Sequence, residues 1–197
     1  MKEFKSIKNF VFDLDGTLYS DLEAVFGQVS KRMTEYISKK LNLDLKKAKE
    51  FLEYVHDIDL EFMEKDIVLR EELLKLDAKK FVFTNGSHGH VKQITKHLGI
   101  DDLFNGTFAI TDSNYVPKPE LTVYNKLCNK FNIKPEETVL IEDIAKNLEP
   151  AKKLGMKTVW IINDEYWGKK DSDKDFIDLK IKNLSSFLKE INILQAA

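Results

Sequence analysis

Cysteine is almost missing from this chain: Cys128 stands alone among 197 residues. An intramolecular disulfide is therefore excluded, and a zinc site would have to draw on four scattered histidines and on carboxylates. An excess of either charge is lacking too. The 31 basic and 33 acidic residues leave a formal net charge of -2, so nothing draws the whole molecule toward a nucleic acid polymer or an anionic membrane. Any anion it binds must be attracted locally. Long apolar runs are also absent. The amino-terminal MKEFKSIKNF has no apolar core of signal-peptide length, and VWII (159–162) falls far short of the ~20 residues a membrane span needs. A soluble chain kept in the reducing cytoplasm is the expectation. Internal repeats, low-complexity tracts and flexible linkers are missing as well.

What is there is a hydrophobic complement of 43%, enough for the full core of one ordinary domain. Short apolar runs recur at FVF (10–12), FVFT (81–84), FAIT (108–111), TVLI (138–141) and TVWII (158–162). They do not alternate apolar with polar, which suits strands buried on both faces of a parallel sheet. The segments between them have helical spacing. Val91, Ile94 and Leu98 share a face and Gly99 stops it; Pro119 opens a helix carrying Tyr124, Leu127, Cys128 and Phe131; Pro150 sits in the first turn of a short helix that Gly155 closes. A last strand near 177–181 and a helix from about Ser185 complete the pattern. The fold class that follows is α/β, a Rossmann-like parallel sheet with helices on both faces and right-handed crossovers.

Residues 18 to 77 break this rhythm, being too many for one crossover helix. Leu22, Val25, Phe26, Val29, Met33, Tyr36 and Ile37 form one helical stripe. Leu45, Ala48, Leu52 and Val55 form another behind Asp44 as N-cap, and a third helix is expected over 59–76. The chain thus divides into an α/β core of 1–17 and 78–197 and a small helical cap, 18–77, inserted after the first strand.

Ligands of open α/β sheets bind beyond the carboxyl ends of the strands. There the sequence sets Asp13 and Asp15, then Thr84, Asn85 and Gly86, then Lys118 between Pro117 and Pro119, then Glu142 and Asp143. A lone Asp-x-Asp-Gly is most simply a turn. Four polar sets converging on one edge point instead to catalysis.

The order DLDGT, FTNGS, VPKPE, LIEDIAKN resembles the haloacid dehalogenase-like hydrolase superfamily along nearly the whole chain, and its motifs are most similar to the pyrimidine 5′-nucleotidase branch. The resemblance implies that Asp13 is a nucleophile that becomes a phosphoaspartate and that Asp15 moves the proton. It also implies Mg²⁺ held by Asp13, the backbone carbonyl of Asp15, and Asp143. The cation has a physical purpose, because a carboxylate approaching a phosphate at ~4 Å meets repulsion of ~1 kcal/mol in water and ~4 kcal/mol at an effective dielectric of 20. Thr84, Lys118 and the amides of Asn85 and Gly86 would hold the phosphoryl oxygens. Around them, Thr17 would steer Asp15, Glu142 would orient metal-bound water, and Asn147 would reach back to the acidic loop. Ile144 departs from the small hydroxyl residue common in relatives. The implied activity is hydrolysis of a small phosphate ester, with a nucleoside 5′-monophosphate first. Phosphoglycolate or sugar phosphatase or mutase chemistry, haloacid dehalogenation and a phosphorylatable switch module remain open. His88 and His90 are capping or substrate-facing residues, His56 and His97 helical surface residues, and Trp160 a core residue.

Overall fold

The structure is a computed structural model that describes residues 1–39 and 58–197, together with Lys47, Glu50, Tyr54 and Val55. Six strands, β1 (Asn9–Phe12), β2 (Lys79–Phe83), β3 (Gly106–Phe108), β4 (Thr138–Glu142), β5 (Lys157–Ile161) and β6 (Leu179–Ile181), form one sheet in the order β3-β2-β1-β4-β5-β6. All five pairings are parallel. The central strands β1 and β4 are buried along their whole length because helices cover both faces. On β1, Phe10 and Phe12 enter one core layer with Val82, Val139, Ile141 and Val159. Val11 enters the other with Phe81, Phe83, Leu140 and Trp160.

The first layer is closed by α2 (Ile67–Lys75), α3 (His88–Leu98) and α7 (Leu184–Ala196), through Leu69, Leu73, Ile94, Leu98, Leu188 and Ile191. The second is closed by α4 (Leu121–Phe131) and α5 (Leu148–Lys153), through Val123, Tyr124, Leu127, Leu148 and Ala151. Gly99, left-handed at φ 71°, ends α3 by donating its N–H back to the last turn. The strand order reverses between β1 and β4, which makes their carboxyl ends the natural crevice.

Several boundaries differ from the sequence expectation. β3 ends at Phe108, so Ala109 and Ile110 of the FAIT run are buried in a turn, where the Asp112 carboxylate accepts the Ala109 N–H at 2.8 Å and Ile110 N–H goes to Gly86 O at 3.0 Å. α4 begins at Leu121 behind Glu120, with Pro119 still outside the helix. Between β1 and β2, α1 runs over Leu22–Lys39, whereas the expected third helix starts only at Ile67. Asp66 caps it by accepting from Leu69 N–H, and residues 58–63 are held extended or turning by Gln93 and His97 of α3, whose side chains donate to the carbonyls of Ile58 and Met63. His97 is therefore a half-buried bracket and not a plain surface residue. The stripe Leu45, Ala48, Leu52 with its Asp44 cap, and His56, lie outside the described residues. Among the described residues no helix is long and apolar enough to cross a membrane.

Candidate active site

β1 and β4 lie side by side, and each continues past its last apolar residue into acids. Asp13 extends the ladder, its N–H reaching Ile141 O at 2.9 Å, and Glu142 and Asp143 follow Ile141 on the neighbouring strand. Lys118 arrives from the loop before α4. Its backbone N–H donates to Asn85 Oδ1 at 2.8 Å, which fixes that loop to the one after β2. Its Nζ then donates to Asp13 Oδ1 at 2.7 Å, Glu142 Oε1 at 2.6 Å and Phe83 O at 3.0 Å. All three ammonium donors are used, and the group is essentially inaccessible.

Electrostatics follow from that burial. Burial opposes the Lys118 charge, but Asp13 and Glu142 outweigh it and hold its pKa above the ordinary lysine value. Asp13 is pushed the other way: burial, then Glu142, raise it to about 8 in spite of its bond to Lys118. Asp143 is raised to about 9 by burial and then by Glu142 and Asp13. Three carboxylates thus face one ammonium, an arrangement short of positive charge.

The ligating oxygens of Asp13, Glu142 and Asp143 can all lie within 4.8 Å of one another. They are not equivalent. Glu142 is spent, because Oε1 accepts from Lys118 and from Asn147 Nδ2 at 2.6 Å, and Oε2 accepts from Ile144 N–H at 2.8 Å. Asp143 Oδ2 accepts from Asn163 Nδ2 at 2.8 Å, while Oδ1 is buried with no hydrogen-bond partner among the described residues. A buried carboxylate oxygen without a donor is costly unless a cation meets it. The donor set, hard oxygens only, suits Mg²⁺. Gly16 makes the closeness possible: its φ is +80°, and a Cβ there would stand 2.3 Å from Asp143 Oδ2.

The site opens into a cavity of about 270 Å³ lined by Asp13, Asp15, Thr84, Asn85, Gly86 and Lys118, with Asp143 and Asn147 on the acidic side. Phe26, Ile144 and Trp167 form its apolar rim, the first from α1 and the last from α6 (Tyr166–Lys169). The geometry brings Asp13, Asp15, Thr84, Asn85, Gly86, Lys118, Asp143 and Asn147 to one cavity with Glu142 bonded behind Lys118, but it alters the expected roles of Gly86 and Thr17. The Gly86 N–H donates to Thr84 Oγ1 at 2.9 Å, so that amide serves the loop itself and Thr84 keeps its hydroxyl proton to give. Thr17 does not steer Asp15, since its buried hydroxyl has no partner among the described residues. Asp15 is held instead by Tyr19 and His90, whose donors both meet its Oδ1. Burial, and then Asp15, raise the Tyr19 pKa, so the phenol keeps its proton. His88 lies off the cavity, 2.9 Å from Asp112.

Tyr19, Asn163 and the rim residues were not legible as site residues. Only a faint signal existed for Tyr19, four residues past Asp15 in DLDGTLY, and for Trp167, an aromatic that could stack on a base; Asn163 carried none. Trp160 is core, yet its indole N–H donates to Asp143 O at 2.7 Å and so anchors the acidic turn.

Comparisons with known proteins converge on the same picture. A profile of the haloacid dehalogenase-like hydrolase family matches residues 20–161. A glyceraldehyde 3-phosphate phosphatase of Pyrococcus furiosus is 32% identical over 60% of this chain, a stretch that spans only about half (51%) of that relative's length. One from Methanocaldococcus jannaschii is 26% identical over 92% of this chain and 96% of its own. In fold, a haloacid dehalogenase-like protein of Agrobacterium tumefaciens superposes with a TM-score of 0.68 at 15% identity, covering 97% of this chain and all (100%) of that one.

Proposed function

This chain belongs to the haloacid dehalogenase-like hydrolases, and from that premise we propose a Mg²⁺-dependent phosphomonoesterase acting on a small metabolite whose leaving group carries no charge. The observation that carries the reading is the pairing of a saturated Lys118 with an orphaned Asp143 oxygen around Asp13. Asp13 and Asp143, with the carbonyl of Asp15, would hold Mg²⁺, which when bound supplies the positive charge that three carboxylates and one ammonium lack. Glu142 holds Lys118, Asn147 and the Ile144 amide in place and thereby the edge of that site.

Asp13 attacks phosphorus, forming an acyl phosphate as the ester P–O bond breaks. Asp15, in its acid form, gives its proton to the departing oxygen. As a carboxylate it then takes a proton from the water whose oxygen bonds phosphorus and returns Asp13. Such proton transfer is worth about 10²–10⁴ in rate. Thr84 donates to a phosphoryl oxygen while this happens, and Lys118, bonded to Asp13 at 2.7 Å, keeps its charge beside the attacking carboxylate. Haloacid dehalogenation needs neither the acid nor the cation, and a site built around both speaks against it. Within the inserted segment α1 acts as the cap, its Phe26 bearing on the cavity, whereas α2 belongs to the core through Leu69 and Leu73.

The leaving-group preference rests on the lining. Among the described residues around the cavity Lys118 is the only cation, and its donors are committed. Phosphoglycolate, whose departing alcohol carries a carboxylate, finds no partner there; glyceraldehyde 3-phosphate, named for two relatives, departs as an alcohol bearing only a neutral aldehyde. A nucleoside 5′-monophosphate is the second reading. It also leaves uncharged, and Phe26 and Trp167 offer flat faces to a base. Phosphate release from glyceraldehyde 3-phosphate, nucleotides, phosphosugars and phosphoglycolate, with Mg²⁺ or with EDTA, tests this. Metal-dependent turnover favouring neutral leaving groups is expected. Metal-independent halide release from a haloacetate, or phosphoglycolate as best substrate, overturns it.

A further inference from the structure

A proton carrier works only when its carboxyl is aimed, and an aspartate such as Asp15, its side chain 20% exposed, has rotation about two bonds to lose. Asp15 is restrained from two directions. Tyr19, 7% exposed, lies on its own loop, joined to Asp15 by an isolated parallel bridge, and donates its hydroxyl to Oδ1. His90, 1% exposed, comes from the first turn of α3 and approaches the same oxygen with Nε2 at 2.7 Å. A carboxylate oxygen accepts, so both groups donate.

His90 is itself fixed to the phosphate-facing loop. Ser87 caps α3 by accepting the His90 N–H at 3.1 Å, and Gly86 sits so close that a Cβ there would lie 3.0 Å from the imidazole Cδ2. The loop that bears Thr84 and the side chain that aims Asp15 are therefore one mechanical unit.

We propose that Tyr19 and His90 are positioning residues that hold the Asp15 carboxyl where it exchanges a proton with the leaving oxygen, and that His90 sets this aim relative to the phosphoryl group. The inference rests on the phosphomonoesterase reading. Neither residue lines the cavity, so neither touches substrate. Their effect on proton transfer passes through Asp15, and it grows with the need of the leaving group for a proton.

The test compares glycerol 3-phosphate, a poor leaving group, with p-nitrophenyl phosphate, a good one, measuring kcat and KM with Mg²⁺ for the parent, Tyr19→Phe, His90→Leu and His90→Gln. Tyr19→Phe and His90→Leu should lower kcat on the alkyl ester about ten-fold or more, and on the aryl ester less than about three-fold, with KM little changed. His90→Gln, which keeps an N–H donor, should recover most of the alkyl activity. Equal losses on both esters, a change confined to KM, or a glutamine variant no better than leucine overturns the proposal. If His90→Leu does not fold, Tyr19→Phe and His90→Gln decide. A parent that hydrolyses neither ester overturns the function itself; an active parent whose variants do not discriminate overturns only the positioning roles.

Discussion

β1 and β4 carry an ion pair at each end of the same pairing, and the two ends could hardly be less alike. At the amino ends Lys8 Nζ meets Glu137 at 2.7 Å, with side chains 68% and 30% exposed. At the carboxyl ends Lys118 meets Asp13 at 2.7 Å and Glu142 at 2.6 Å, with none of the three side chains more than 8% exposed. Bond lengths are the same; surroundings differ. Water screens the first pair and would solvate either partner alone, so it adds little. The second pair has given up hydration and is repaid only if every charge is met, which is poor design for stability alone. An expensive cluster at the strand-order reversal, beside a cavity, belongs to chemistry.

The contrast can be broken at its strongest point by Asp13→Asn, which replaces the nucleophile with a far weaker one while keeping its shape. Phosphate release should fall by at least about 10³-fold with the fold intact by circular dichroism. Next comes Lys118→Met, which strands Asp13 and Glu142 without their cation. In metal-free urea unfolding it should cost roughly 3–5 kcal/mol, together with most of the activity.

A subtler probe is pH. Asp13 and Asp143 have native pKa values of about 8 and about 9, above the ordinary 3.8, so the stability they contribute is complete below the ordinary value and is lost as pH rises through the native ones. In EDTA the melting midpoint should therefore drop between about pH 6 and pH 9, and Mg²⁺ should offset the drop most at the alkaline end, where the carboxylates are bare. The smallest effect is expected from Lys8→Ala at the opposite edge, with melting midpoint and turnover both unchanged. A large loss there would erase the distinction between the two ends.

The strands and the convergence of Asp13, Thr84, Lys118 and Asp143 were legible because both depend on local patterning: buried apolar runs mark the strands, and parallel topology sends their carboxyl ends to one edge. Contacts between elements were not. Thr17 looked like the obvious partner for Asp15 by proximity in the chain, yet Tyr19 wins because the loop after β1 brings it back onto Asp15 in an isolated bridge, and His90 because that loop and the start of α3 meet in space. The helix expected over 59–76 loses its first turns because Gln93 and His97 draw the carbonyls of Ile58 and Met63 onto α3, competing with helical bonding. Asn163 reaches Asp143 only because β5 neighbours β4 in the sheet.

Gly16 is bound by two constraints that no single compensating change can lift. Its backbone handedness rules out most side chains, and the asparagine or aspartate that could adopt it would collide with Asp143. Trimming Asp143 to make room would delete the acid the turn exists to accommodate. A saturation library at position 16, selected for turnover, should return one survivor, and directed evolution toward new esters will have to travel through Phe26, Ile144 and Trp167 instead.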